Sequence, residues 1–128
     1  MTFYNKFDSI FSDYKKALSR FKEVLQKEKN DIVRDSAIKR FELVFDISWK
    51  LIKSFVEEQK GLSCRSPKDC FRTAFQQEII DFDNYWIVIT DWRNSAVHTY
   101  KESIAEELYG ELPKILEKFE ELEKRLQN

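Results

Sequence analysis

Apolar side chains recur at three- and four-residue steps through most of this chain, and that spacing restricts its fold more than any other feature. Phe7, Phe11, Tyr14, Leu18, Phe21 and Leu25 form the first series. Residues so spaced share one face of an α-helix, whereas a half-buried strand needs a step of two. The series predicts a helix from about Asp8 to Lys27, capped by Asp8 or Ser9, with Phe3–Tyr4 extending it backwards. After the polar break Lys29-Asn30-Asp31, a second helix is expected from an Asp31 N-cap to about Lys60. Its apolar set (Ile38, Phe41, Phe45, Trp49, Ile52 and Val56, widened by Leu43, Val44 and Leu51) is broad enough to touch more than one neighbour. Gly61 stands where a left-handed residue ends a helix.

The rest of the chain continues in the same way. Ser66-Pro67 reads as an N-cap followed by proline at the first helical position, with Asp69 in the first turn. The short helix carries Cys70, Phe71, Ala74 and Phe75; Ile79-Ile80 closes it, and Asp81-Phe82-Asp83 opens the next element. Trp86-Ile87-Val88-Ile89-Thr90 has strand propensity, but no partner strand is evident elsewhere, so Asn84–Ala96 is expected to be a buried helix. Ile104, Leu108, Leu112, Ile115, Phe119, Leu122 and Leu126 mark a last helix from about Ser103, with Pro113 predicting a kink near Tyr109–Gly110. With only 2 Gly and 2 Pro in 128 residues, the turns of an all-β fold are missing. The expectation is one domain, residues 1–128: an all-α, antiparallel up-down bundle of four to five helices.

Charge and composition exclude several function classes. The 22 basic and 23 acidic side chains give a net charge of −1, so a nucleic-acid partner would have to be met at a local patch or cleft. Two glycines cannot build a glycine-rich phosphate loop. One histidine and 2 cysteines are too few for most zinc or di-iron sites, so no metal and no cofactor is expected. No apolar run is long enough to span a membrane, and the N-terminus lacks a signal-peptide pattern. A cytoplasmic protein with no membrane partner is expected, with Cys64 and Cys70 as reduced thiols and a disulfide as the minority alternative.

Reactive side chains concentrate in Asp91-Trp92-Arg93-Asn94-Ser95-Ala96-Val97-His98-Thr99-Tyr100, which holds the single histidine. Histidine titrates near neutrality, and arginine offers a planar cationic fork that suits phosphate. The alternative is an ordinary polar helix end. At ~100° per residue, positions five apart point ~140° apart on an unbroken helix. Arg93 and His98 can serve one phosphate only if the helix ends or distorts between them, so a break is predicted near Ala96–Thr99. Glu42, Asp46 and Lys50, at four-residue steps, read first as helix-stabilising ion pairs; alternatively, Glu42 or Asp46 crosses the bundle to orient Arg93. Trp49, Trp86 and Trp92 read as core or interface anchors ahead of base-stacking platforms.

Arg93-Asn94-Ser95-Ala96-Val97-His98 resembles the Arg-x4-His motif of HEPN domains, and Tyr100 extends it to the Arg-x4-His-x-Tyr form of HepT-type toxins from MntA–HepT toxin–antitoxin systems. Arg40-Phe41-Glu42 with Phe45-Asp46 and Trp49-Lys50, the Ser66-Pro67-Lys68-Asp69 turn, and Ala105-Glu106-Glu107 add to the likeness. Together they resemble the subgroup called nucleotidyltransferase substrate-binding proteins, from about Ile32 to Leu116. The resemblance implies a helical homodimer and a minimal nucleotidyltransferase as partner. It implies a metal-independent endoribonuclease with Arg93 and His98 at a dimer cleft, silenced by adenylylation of Tyr100. The other implied reading is a non-catalytic subunit that presents a nucleotide or substrate to the transferase.

Cleavage of RNA by its own 2′-hydroxyl needs a base, an acid and positive charge at the phosphorane. One histidine cannot be base and acid at once; a symmetric dimer supplies two copies of His98. Arg93 would hold phosphate oxygens, Asn94 would orient Arg93 or the substrate, and Tyr100 would donate a proton or bind phosphate.

Overall fold

The structure, a computed structural model, describes residues 5–81 and 83–127. Five α-helices follow in order: α1 (Lys6–Leu25), α2 (Asp31–Lys60), α3 (Pro67–Gln76), α4 (Tyr85–Ser95) and α5 (Glu102–Leu126), with a 3-10 turn at Ala96–His98 between α4 and α5. No strand occurs among the described residues, and the β-branched run 86–90 is helical, as its lack of a partner strand required. The expected extension at Phe3–Tyr4, and Phe82 of the expected start before α4, lie outside the described residues.

The helix ends follow local hydrogen bonding. Asn5, rather than Asp8 or Ser9, caps α1, accepting from the Asp8 amide at 2.7 Å. Asn30, rather than Asp31, caps α2, accepting from the Val33 amide at 2.8 Å. Asp31 is thereby the first helical residue, where its charge favours the positive end of the helix dipole. Gly61 has φ 65° and terminates α2 in the left-handed region, as its place in the sequence predicted. Ser66 caps α3 and Pro67 is its first residue. α5 is continuous through Tyr109–Gly110 despite Pro113. Pro113 is exposed, and lacking an N–H it leaves the Tyr109 carbonyl one turn earlier without its usual intrahelical donor.

α1 and α2 are antiparallel: the Phe7 ring meets Phe55 near one end, and Arg40 reaches the Arg20 carbonyl nearer the other. α3 and α4 also oppose, with Phe71 on Trp86 and Lys68 on Asp91. The core is a connected set of rings. Phe119 of α5 sits 6.0 Å from Phe21, 6.3 Å from Phe41 and 5.9 Å from Trp86, while Phe71 bridges Phe45 (5.8 Å) and Trp86 (4.7 Å). Fully burying one such side chain stabilises by roughly 1.5–3 kcal/mol. Tyr14, wholly buried, donates its hydroxyl to the Phe119 carbonyl at 2.7 Å, so its polar atom is satisfied. Trp86 is a core residue, and Trp49 and Trp92 pack half-buried against the core, which agrees with their reading as anchors.

The cysteines correct an expectation. Cys64 and Cys70 are bonded to each other rather than free. Capping by Ser66 turns the chain sharply into α3, and the Arg65 amide donates to Asp69 at 2.9 Å. This brings the two Cα atoms to 5.0 Å, within disulfide range. Compartment signals in the sequence favour free thiols; the local turn geometry decides instead.

Candidate active site at the α4–α5 junction

α4 stops at Ser95 and the chain tightens into the 3-10 turn Ala96–His98, so the helix changes character in the region where a break is predicted for Arg93 and His98 to serve one phosphate. Backbone bonds hold the turn: the Thr99 amide donates to the Ala96 carbonyl at 3.3 Å and Lys101 to His98 at 3.0 Å. The Thr99 hydroxyl adds a second donor to Ala96 at 2.9 Å. Ala96 is buried and anchors the turn, while Val97, His98 and Tyr100 project outward.

Arg93, in the last turn of α4, points across to α2. Its Nε and Nη2 donate to the two carboxylate oxygens of Asp46 at 3.2 Å each. Its Nη1 lies 3.7 Å from Glu42 Oε1. The Asp46 hydrogen bonds raise the Arg93 pKa above its already high value, against the opposing effect of partial burial, so this group is a permanent cation. Two of its five N–H donors go to Asp46, and Nη1 faces Glu42 without a hydrogen bond to it. Glu42 and Asp46 are thus not merely rungs of an α2 ion-pair ladder: the four-residue step puts both on the face toward Arg93.

His98 and Tyr100 form the second half of the site. Both are exposed, Tyr100 at 76%, and their ring centroids stand 6.1 Å apart at 71°. The His98 ring has no hydrogen-bond or ion-pair partner among the described residues. Asn94 is exposed and likewise makes no side-chain hydrogen bond among them; Asp46 is what holds Arg93. Chemically, the arrangement offers a fixed cation, a free imidazole and an accessible phenol on one helix-to-turn junction. Among the described residues no group of three or more His, Cys, Asp or Glu side chains is placed to hold a metal ion.

Two supporting residues escape a reading of the sequence alone. Arg34 is 3% exposed and donates to Asp35, Glu102 and Glu106 (2.6 Å to Glu102), tying the start of α2 to the first turn of α5 directly after Tyr100. Its signal is nevertheless there: Arg34, Ala37, Ile38 and Phe41 share one apolar register, and a charge in such a register must find partners. Lys68 pairs with Asp91 at 2.8 Å, linking α3 to the same turn of α4 that carries Arg93.

A family model described as "Nucleotidyltransferase substrate binding protein like" matches residues 9–128. The chain belongs to that family. Haemophilus influenzae "Probable ribonuclease HepT" is 28% identical over 93 residues, covering 66% of this chain. That match spans under two-thirds of the relative, 64% of its length. A crystal structure from Thermus thermophilus superposes with a TM-score of 0.86 at 31% identity, over 90% of this chain and 99% of that one. The structure of HI0074 from Haemophilus influenzae, described as the fold of a substrate binding domain of a nucleotidyltransferase, gives a TM-score of 0.70 at 21% identity over 95% and 97% of the two chains. At that identity the likeness establishes the shared helical fold.

Proposed function

We propose that this protein is a HepT-like endoribonuclease that works as a homodimer and is silenced by a partner nucleotidyltransferase. The observation that carries the proposal is the division of the motif: Arg93 is held by Asp46, while His98 and Tyr100, on the turn that follows, touch each other's rings but make no side-chain hydrogen bond among the described residues and stay exposed. An exposed imidazole with no side-chain hydrogen bond is open to a substrate and suits proton transfer at a phosphate held by Arg93. In the reaction, one His98 takes the proton of a ribose 2′-hydroxyl and the 2′-oxygen attacks the adjacent phosphorus. The P–O5′ bond breaks, and His98 of the second copy protonates the leaving 5′-oxygen. The products are a 2′,3′-cyclic phosphate and a 5′-hydroxyl. The free N–H donors of Arg93 stabilise the phosphorane charge. This chemistry balances without a metal.

Tyr100 is accessible to a second enzyme. Attack of its phenolic oxygen on the α-phosphorus of ATP would release pyrophosphate and leave an adenylyl group beside Arg93 and His98. That anion would compete with RNA phosphate for the same cation. The relatives' names, a probable ribonuclease and a substrate binding domain of a nucleotidyltransferase, fit the two sides of this pairing. One observation favours the other reading, a non-cleaving nucleotide-presenting subunit: Arg93 is already flanked by two carboxylates, Asp46 and Glu42. The deciding experiment incubates end-labelled tRNA and messenger RNA with wild type and His98→Ala in EDTA, with circular dichroism confirming that both are folded. Cleavage with 2′,3′-cyclic ends by wild type alone is expected. Intact RNA with a folded, unmodified dimer would assign the chain to the subunit reading.

A further inference from the structure

On the flank of α2 next to the one that meets Arg93 runs a groove between α1 and α2. Lys16 and Arg20 line one wall, Arg40, Leu43 and Ile47 the other, and Asp13 sits at the α1 edge. Arg40 is fixed there by donating Nη1 to the Arg20 carbonyl at 2.7 Å. None of Lys16, Arg20 and Arg40 has a carboxylate partner among the described residues. Unmatched cations are common on this surface; what sets this groove apart is that three of them line it against the single carboxylate of Asp13. Three unmatched cations around one groove therefore leave a local positive field. Its floor is apolar, and Leu43 is 51% exposed there, offering a surface for a ribose or base.

The position relative to the candidate site makes this groove informative. Glu42 and Asp46 hold Arg93, while Leu43 and Ile47, one residue on in each case, line the groove. Successive helix positions face ~100° apart. The groove and Arg93 thus meet adjacent flanks of the same two turns of α2, a helix ~10–12 Å across with its side chains. A single strand crossing the Leu43 ridge could place one phosphate at Arg93 and its neighbours along Arg40, Arg20 and Lys16. We infer that the α1–α2 groove carries the sugar–phosphate backbone of the RNA strand whose cleaved bond lies at Arg93 and His98. The inference rests on the ribonuclease reading above and adds to it the binding track outside the motif.

The test measures binding of a fluorescent single-stranded RNA by anisotropy across a salt series, in the His98→Ala background so that the probe stays intact. The variants are Lys16→Gln/Arg20→Gln and the triple that adds Arg40→Gln. The first pair makes no ion pair with the described residues, which guards against loss of folding; Arg40 touches α1, so the triple needs its melting temperature checked. For single strands the slope of log K against log[salt] is about −0.7 per neutralised phosphate. The pair should flatten the slope by about 1.4 and weaken binding roughly 25-fold at about 0.1 M salt, and the triple should flatten it by about 2. Asp13→Asn should tighten binding. Strong binding with an unchanged slope in both variants would overturn the groove assignment while leaving the ribonuclease reading intact. Absence of any RNA binding by the parent would remove both. A variant that loses self-association in sedimentation but keeps its RNA affinity would make the groove a protein contact and overturn the inference.

Discussion

Phe119→Ala tests the architecture that positions the site. Phe119 is wholly buried and lies within 6.3 Å, centroid to centroid, of Phe21 on α1, Phe41 on α2 and Trp86 on α4. Truncating a buried phenylalanine typically costs about 3–5 kcal/mol, combining lost transfer energy with the cavity left behind. The upper half of that range is expected, because three large rings on three different helices cannot all move inward to fill the space. Each ring pair also forfeits a share of the ~0.5–1.5 kcal/mol that aromatic geometry adds to burial. The expectation is a loss of about 4 kcal/mol. With a urea slope of about 2 kcal/mol per molar, the unfolding midpoint should fall by about 2 M with the slope unchanged. Phe119→Leu, which keeps most of the volume, should lose less than about 1.5 kcal/mol. The exposed ridge residue Leu43 supplies the comparison, since Leu43→Ala should stay within about 0.5 kcal/mol. A Phe119→Ala midpoint within about 0.5 M of wild type, at equal slope, would refute the packing of α5 against the other three helices.

Two further outcomes follow from the covalent and ionic ties. The Cys64–Cys70 bond closes a short loop of sequence separation 6, for which chain entropy gives about 2 kcal/mol. Reduction should lower the urea midpoint of wild type and leave Cys64→Ser/Cys70→Ser unchanged; a titrated, fully reduced protein of undiminished stability would count against that account. Hydrogen bonds from Arg34 hold the Glu102 carboxyl below its ordinary value of 4.5, and Lys29 followed by Arg34 does the same for Glu106. A carboxyl depressed in the native state stabilises fully above its unfolded value, and that contribution is lost as pH falls through the native one. Wild type should therefore lose some stability as pH falls through and below the mid-4s, a modest effect because both carboxylates are exposed to solvent, and Arg34→Met should flatten that limb; parallel limbs in chemical denaturation would show that these pairs are not coupled to folding.

Periodicity makes the five helices legible, because a three-four apolar step has one simple structural solution. Even the misleading β-branched run at 86–90 resolves once no second strand can be found for it. Helix caps are less legible: Asn5 competes with Asp8 and Ser9, and Asn30 with Asp31, and only the hydrogen-bond geometry separates neighbours that are all acceptable caps. The disulfide is hidden because six-residue spacing says nothing by itself; Ser66, Pro67 and Asp69 together fold the chain so that the sulfurs meet. At the site, the end of α4 is legible only through function: it follows from the Arg93–His98 spacing if both side chains are to serve one phosphate. The partners of Arg93 are visible as a four-residue step on α2 but cannot be told from an intrahelical ladder, since pairing across the bundle depends on how α2 and α4 cross.

The site is held by two independent devices, and the difference matters for its chemistry. Arg93 is set by a bidentate side-chain bond to Asp46, only partly buried, so solvent screens it and a phosphate can compete for the remaining donors. His98 and Tyr100 are set by their backbone: the turn's amides bond within it, Ala96 anchors it in the core, and Arg34 fastens the helix that follows. Their side chains therefore stay unengaged without the turn itself becoming loose. On the proposed reading, a proton-transferring His98 and a modified Tyr100 gain from a rigid backbone with free tips, because no side-chain bond would have to break first. The two devices share no side-chain bond, so a substitution at His98 or Tyr100 should leave the Arg93–Asp46 bond in place.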